Sequence, residues 1–109
     1  MAEIVVLVTV GSEEEGTILG KLLVERNLVA CVNILPRIRS IFKWEGCVSI
    51  EQECLLILKS TSEVFTALEI LIKAHHCYDV PEIIALPIIA GSADYLSWVR
   101  SITHDANME

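Results

Sequence analysis

Two long strand-like patterns joined by a single turn near Gly46 occupy the stretch from about Leu28 to Lys59, and a hairpin of that length constrains the rest of the fold. Leu28 to Leu35 reads as a buried strand closed by Pro36. The pattern then alternates, with Ile38, Ser40 and Phe42 on one face and Arg37, Arg39, Ile41 and Lys43 on the other. Beyond Gly46, the residues Val48, Ile50, Gln52, Cys54, Leu56 and Leu58 share a face, while Ser49, Glu51, Glu53 and Lys59 lie opposite. A slip of one residue would exchange the faces of a whole strand. Pairing apolar with apolar and arginine with glutamate therefore predicts an odd-length loop, Trp44-Glu45-Gly46, with Gly46 in the left-handed conformation. That register sets Arg39 opposite Glu51 and Arg37 opposite Glu53.

The flanking segments supply partners for such a hairpin. Ile4 to Val10 is a continuous, largely β-branched run of the kind covered on both faces, and Gly11 breaks it. Ser12 with Glu15 forms a capping box ahead of a helical stripe at Ile18, Leu19, Leu22 and Leu23, which ends near Asn27. Ser60 with Glu63 repeats the capping pattern before the stripe Val64, Phe65, Leu68, Leu71 and Ile72, running to about His75. Asp79-Val80-Pro81-Glu82 reads as a turn and Ile83 to Ile88 as a buried strand. Gly91-Ser92 opens a last helix carrying Tyr95, Leu96, Val99 and Ile102, and the tail after His104 is expected to fray. The order β-α-β-β-α-β plus a C-terminal helix predicts one α+β domain over residues 1–109. It is ferredoxin-like, with a long central hairpin and right-handed crossovers.

A chain of 109 residues with 53% hydrophobic content can bury one core without covalent staples, and it is too apolar to stay disordered. Its cysteines, Cys31, Cys47, Cys54 and Cys77, form no C-x-x-C pair and read as reduced thiols. A formal net charge of -7 argues against nucleic acid, since only Arg37, Arg39 and Lys43 cluster and acids lie close to them. The longest apolar run, Ile83 to Ala90, is eight residues and is broken by Pro87. Roughly 20 are needed to cross a bilayer, so no membrane partner is expected. The N-terminal MAEIVVLVTVG has neither the positive flank nor the cleavage site of a secretory peptide, which makes the cytoplasm the expected location.

The stretches LLVERNLVACVNILPRIRSIFKWEG, ILKST, HHCYDVPEIIALPI and a late G-x-x-x-YLSWV fall in order and cover nearly the whole chain. Through them the sequence resembles the CutA family of divalent-cation tolerance proteins. The resemblance implies a ferredoxin-like fold, a tight homotrimer joined through extended strands, cytoplasmic residence, copper binding and a response to metal ions. The residues lend the trimer independent support. A hairpin this long overhangs a small sheet and leaves unpaired edges bearing Phe42, Trp44 and Ile50. Such edges invite pairing with another subunit, for which closed cyclic symmetry is the usual outcome.

His75-His76-Cys77 is the densest group of soft and borderline metal ligands, suited to copper, zinc or nickel. Adjacent helical residues point about 100° apart, so one ion held by both histidines would need a second subunit, or a single histidine would serve. A histidine at a helix C-terminus also complements the dipole with no metal at all. In some bacterial members of the resembled family, a metal-linked cysteine precedes the first-strand threonine. This chain has Val8 beside Thr9 there, leaving His75, His76 and Cys77 for a weak copper(II) or other divalent-cation site. Trp44, Glu51, Lys59, Tyr78, Asp79, Glu82 and Tyr95 are polar or amphipathic residues in the matching segments. The resemblance implies that some of them line a cleft between subunits, open to a small ligand or a partner protein. Singly, each has a plainer reading: Lys59 pairing with a carboxylate, Trp44 packing at an interface, Asp79 fixing its turn. No P-loop, G-x-G-x-x-G, H-E-x-x-H or G-x-S-x-G is present, so no catalysis is expected. The leading expectation is a homotrimer involved in divalent-cation tolerance. The alternative is a trimeric signalling protein with a small metabolite or partner protein in its inter-subunit cleft.

Overall fold

A computed structural model describes residues 2–104 and residue 106. Ala106 packs against the core, and the rest of the tail expected to fray lies outside the described residues. The elements are β1 (Glu3–Val10), α1 (Glu13–Glu25), β2 (Cys31–Trp44), β3 (Cys47–Thr61), α2 (Phe65–His75), β4 (Ile83–Pro87) and α3 (Ala93–His104). The sheet order is β2-β3-β1-β4 with every neighbouring pair antiparallel. This is the ferredoxin-like α+β arrangement that the element order predicts, with α3 as the addition.

One face of the sheet presents Ile4, Val6, Val8 and Val10 from β1 beside Cys54, Leu56 and Leu58 from β3, all buried. Leu19 and Leu23 of α1 and Leu68 and Ile72 of α2 close over them to make the core. Burying a side chain of this size stabilises the fold by about 1.5–3 kcal/mol. Close approach of α1 depends on Gly20, where a Cβ would stand 3.2 Å from Val32 Cγ1. The other face is covered by α3 at one end only. There Val99 is fully buried, Thr61 Oγ1 donates to Thr103 Oγ1 at 3.1 Å, and Arg100 pairs with Glu3 at 3.1 Å. Beyond the reach of α3, Leu35, Ile84 and Leu86 stay about half exposed.

The hairpin follows the expected register only in its inner half, from Cys31↔Lys59 to Leu35↔Leu55. Pro36 does not close the strand. β2 runs on through a β-bulge in which Pro36 and Arg37 together face Cys54, with Arg37 at φ 58°. The outer register is thereby moved by one residue, to Ile38↔Glu53, Arg39↔Gln52, Ser40↔Glu51 and Trp44↔Cys47. The turn has two residues, Glu45 at φ 50° and Gly46 at φ 83°, not the expected three, and neither Arg-Glu pair forms. Two physical preferences outweigh the charge matching. Proline has no N–H for the ladder and is accommodated at a bulge, while positive φ at both turn residues matches the twist of the strands.

A second expectation also fails. Ser60 does not cap a helix, because β3 continues to Thr61 and pairs Ser60 with Ile4. Ser60 is buried and its hydroxyl donates to the Leu28 carbonyl at 2.6 Å. A short 3-10 turn, Ser62–Val64, leads into α2 with no side-chain cap. The first cap forms, though not as a full reciprocal box: Ser12 Oγ accepts from Glu15 N–H, while Glu15 Oε2 accepts from the N–H of Gly11, one residue before the cap, both at 3.1 Å. Because β1 stops at Val10 opposite Cys54, the stretch Cys47–Glu53 of β3 pairs with β2 alone. Those seven residues make an arm about 24 Å long. On it Ile41, Val48 and Ile50 are 66%, 69% and 63% exposed.

Candidate functional site

Where β1 ends, the arm and the loop after α2 enclose a groove of about 810 Å³. Its walls carry Phe42 and Trp44 from β2, Glu51 and Glu53 from β3, and Tyr78, Asp79 and Glu82 from the loop, with Thr9 and Gly11 at the base. Five of the seven residues expected at a cleft therefore converge: Trp44, Glu51, Tyr78, Asp79 and Glu82. Lys59 and Tyr95 do not join them within this chain. Lys59 lies eight positions from Glu51, about 27 Å along β3, between Val5 and Cys31 in the sheet. Tyr95 projects from α3 to the Cys31 thiol; burial, followed by that contact, pushes its phenol up.

The deepest acidic group in the groove is Glu53, only 9% exposed. Its Oε2 accepts from the Tyr78 hydroxyl at 2.8 Å. Burial, reinforced by the hydrogen bond and the charge of Glu53, holds the Tyr78 phenol well above its ordinary pKa. The ion pairs among the described residues are Lys73–Glu69 and Arg100–Glu3, so no cationic side chain pairs with Glu53. The bulge explains this, because it turns Arg37 out of register and leaves Ile38 opposite Glu53.

The three candidate metal ligands follow one another out of α2. His75 ends the helix, exposed, with Nδ1 3.1 Å from the Leu71 carbonyl. His76 has extended backbone at φ -99°, ψ 140°, and both of its ring nitrogens are engaged. Nε2 donates to the Thr9 carbonyl at 2.7 Å and Nδ1 accepts from Tyr78 N–H at 3.1 Å. Coordination by His76 would require one of these bonds to break. The Cys77 thiol donates to Glu15 Oε1 at 3.4 Å, and that hydrogen bond is the main reason its pKa is raised. The protonated thiol is not the ligating form. Among the described residues no three His, Cys, Asp or Glu side chains are placed to enclose one ion. Within one chain, the donor set does not make a complete metal centre.

Residues 4–102 match the family described as CutA1 divalent ion tolerance protein. The chain belongs to the CutA1 family. It is similar to the divalent-cation tolerance protein CutA of Thermus thermophilus, at 50% identity over 93% of this chain and 98% of that one. The solved structure of the Thermus thermophilus protein superposes with a TM-score of 0.91 over the same shares. Rice (Oryza sativa) protein CutA 1, named as chloroplastic, is 46% identical over 94% of this chain and 58% of its own length. This chain thus spans little more than half of that relative, although the rice CutA1 crystal structure superposes at a TM-score of 0.92 over 94% of each chain. A structure of the periplasmic divalent cation tolerance protein CutA of Archaeoglobus fulgidus is 38% identical, with a TM-score of 0.90 over 93% of this chain and 98% of that one. Relatives of this CutA1 chain thus carry names from different compartments. Among its described residues no helix is long and apolar enough to cross a membrane.

Sequence reasoning missed Glu53, Phe42 and Thr9 as groove residues. Glu53 was assigned to Arg37 by the expected register, and the one available signal against that pairing was Pro36 inside a strand-like run. Nothing in the sequence marks His76 as the clamp between β1 and the groove loop, since that contact spans 67 positions.

Proposed function

We propose that this CutA1-family chain works as a homotrimer in divalent-cation tolerance, binding copper(II) or another divalent cation weakly and catalysing no reaction. The arm carries this reading. A two-stranded ribbon with Ile41, Val48 and Ile50 bare to water is marginal alone and gains its stability by being covered. Among the described residues nothing pairs with the two sheet edges, β2 and β4, and a heterologous contact between such edges in successive copies closes a ring. His75 Nε2 is the donor best placed for copper, with its other positions filled by water or a second subunit. That incomplete donor set supports weak binding. The compartment proposed is the cytoplasm, where exposed thiols such as Cys47 and Cys77 stay reduced.

Two measurements test the reading. Sedimentation equilibrium should return about three times the 12.1 kDa of one chain, and a monomer would reject the trimer. Calorimetric titration with Cu(II) should show binding that is lost in His75→Ala and kept in His76→Ala. Equal affinity and stoichiometry in wild type and His75→Ala would remove the named site.

The groove favours a second reading, a trimeric signalling protein that binds a small metabolite or partner protein there. Its support is the convergence of Trp44, Glu51, Tyr78, Asp79 and Glu82 on one concave surface. A metal-only protein would show a thermal shift with copper and none with small organic ligands.

A further inference from the structure

We propose that residues 77–82 form a hinged wall of the groove that opens and closes as a unit, and that His76 is its latch, not a metal ligand. The inference holds whatever the groove binds. Between the end of α2 at His75 and the start of β4 at Ile83 the chain has no helix or strand. Tyr78, Asp79, Val80 and Glu82 of this stretch line the groove. None of residues 77–82 belongs to the apolar core. Among the described residues no hydrogen bond from backbone to backbone ties them to the body. A segment anchored in this way opens at less cost than the sheet it leans on, whose strands are held by buried side chains and a continuous ladder.

Side chains hold the wall shut. His76 Nε2 donates to the Thr9 carbonyl at 2.7 Å, which fixes the hinge to the end of β1. His76 Nδ1 accepts from Tyr78 N–H at 3.1 Å, and the two ring centroids stand 4.6 Å apart. Held so, the Tyr78 hydroxyl reaches Glu53 on β3 at 2.8 Å. The Cys77 thiol, a weak donor, adds a bond to Glu15 of α1 at 3.4 Å. The main catches act in series, from β1 through His76 and Tyr78 to the base of the arm. A neutral imidazole has one donor nitrogen and one acceptor nitrogen, and both are in use, so no lone pair is left for an ion. The two bonds that make His76 unfit to ligate are the ones that close the wall.

Two probes read the whole chain in its assembled state, with a chelator present. The first is hydrogen exchange of the amide of residue 78, whose own acceptor Tyr78→Phe leaves in place. In the wild type this amide should be less protected than those of β1 and β3, and low urea should leave its rate unchanged, the mark of a local opening. Tyr78→Phe should speed it by about tenfold or more. The second probe is cutting within residues 77–82 by a broad-specificity protease, which acts on the open wall. His76→Ala and Tyr78→Phe should each speed the cutting by about tenfold or more. The double variant should add little to either, because catches in series fail together. His76→Gln, which removes the ring but retains a donor, stands in if His76→Ala does not fold. Exchange at residue 78 that tracks β1 and rises with urea, as it would beneath a neighbouring copy, overturns the moving wall. Cutting unmoved by His76→Ala removes the latch. An effect of His76→Ala that appears only when Cu(II) is restored makes His76 a ligand and overturns the proposal.

Discussion

His76 joins three pieces of chain at once, holding the Thr9 carbonyl at the end of β1 and the Tyr78 N–H in the groove loop, with its ring 4.6 Å from that of Tyr78. Two neutral hydrogen bonds of this kind contribute about 1–3 kcal/mol together. His76→Ala should lose about that much in urea unfolding, equally with and without a chelator, whereas a metal role would make the loss depend on the metal. The phenols give a pH signature. Burial and Glu53 raise Tyr78, and burial and Cys31 raise Tyr95, above the unfolded value of about 10. Their folded state then binds the proton more tightly than the unfolded state does. Stability from this source is fully present below about pH 10 and is lost as pH rises through the folded values. Unfolding free energy should therefore begin to fall near about pH 10 and keep falling as pH rises further, less steeply in Tyr78→Phe, with tyrosinate absorbance rising late.

At the scale of an element, the hairpin is decided by its turn and its bulge. Gly46 at φ 83° has no heavy atom within 4 Å of the place a Cβ would take, so Gly46→Ala tests backbone strain alone. It should cost about 1–2 kcal/mol in chemical denaturation. Glu45, a non-glycine residue at φ 50°, marks the opposite opportunity. Glu45→Asn creates the Asn-Gly pair such turns prefer and should raise the midpoint slightly. A three-residue turn, by contrast, would leave position 45 indifferent to asparagine. The same element shows why charge matching failed as a guide to register. Exposed ion pairs are worth about 0–1 kcal/mol, less than the demands of a proline without an N–H and of a turn that must follow strand twist.

For the whole molecule, the long dimension of 43 Å against 22 Å for the shortest reflects an arm that outruns its own core. Proposed assembly gives that arm its partner. Ile41 and Ile50 face each other across the ribbon, both more than half exposed. Ile41→Glu/Ile50→Glu should leave the single chain folded by circular dichroism while sedimentation shifts from trimer to monomer. Retention of the trimer would place the interface elsewhere, on the half-exposed sheet face of Leu35, Ile84 and Leu86.

The order of strands and helices, the long hairpin, the core stripes of α1 and α2, and the Ser12 cap of α1 were legible from the sequence, because each rests on periodicity or on residues within a few positions. The resemblance to the CutA family was legible from motifs that run in order along the chain. Of the seven residues expected at a cleft between subunits, Trp44, Glu51, Tyr78, Asp79 and Glu82 line the groove of the single chain, while Lys59 and Tyr95 lie away from it. The outer register, the buried Ser60 and the clamp at His76 were decided only by tertiary structure. Each depends on a choice between local preferences of similar size, or on a contact across tens of residues. The opening hairpin shows both sides: alternation specified two strands, while the bulge at Pro36 and Arg37 decided which side chains met. That one-residue shift took arginine away from Glu53 and made the groove acidic.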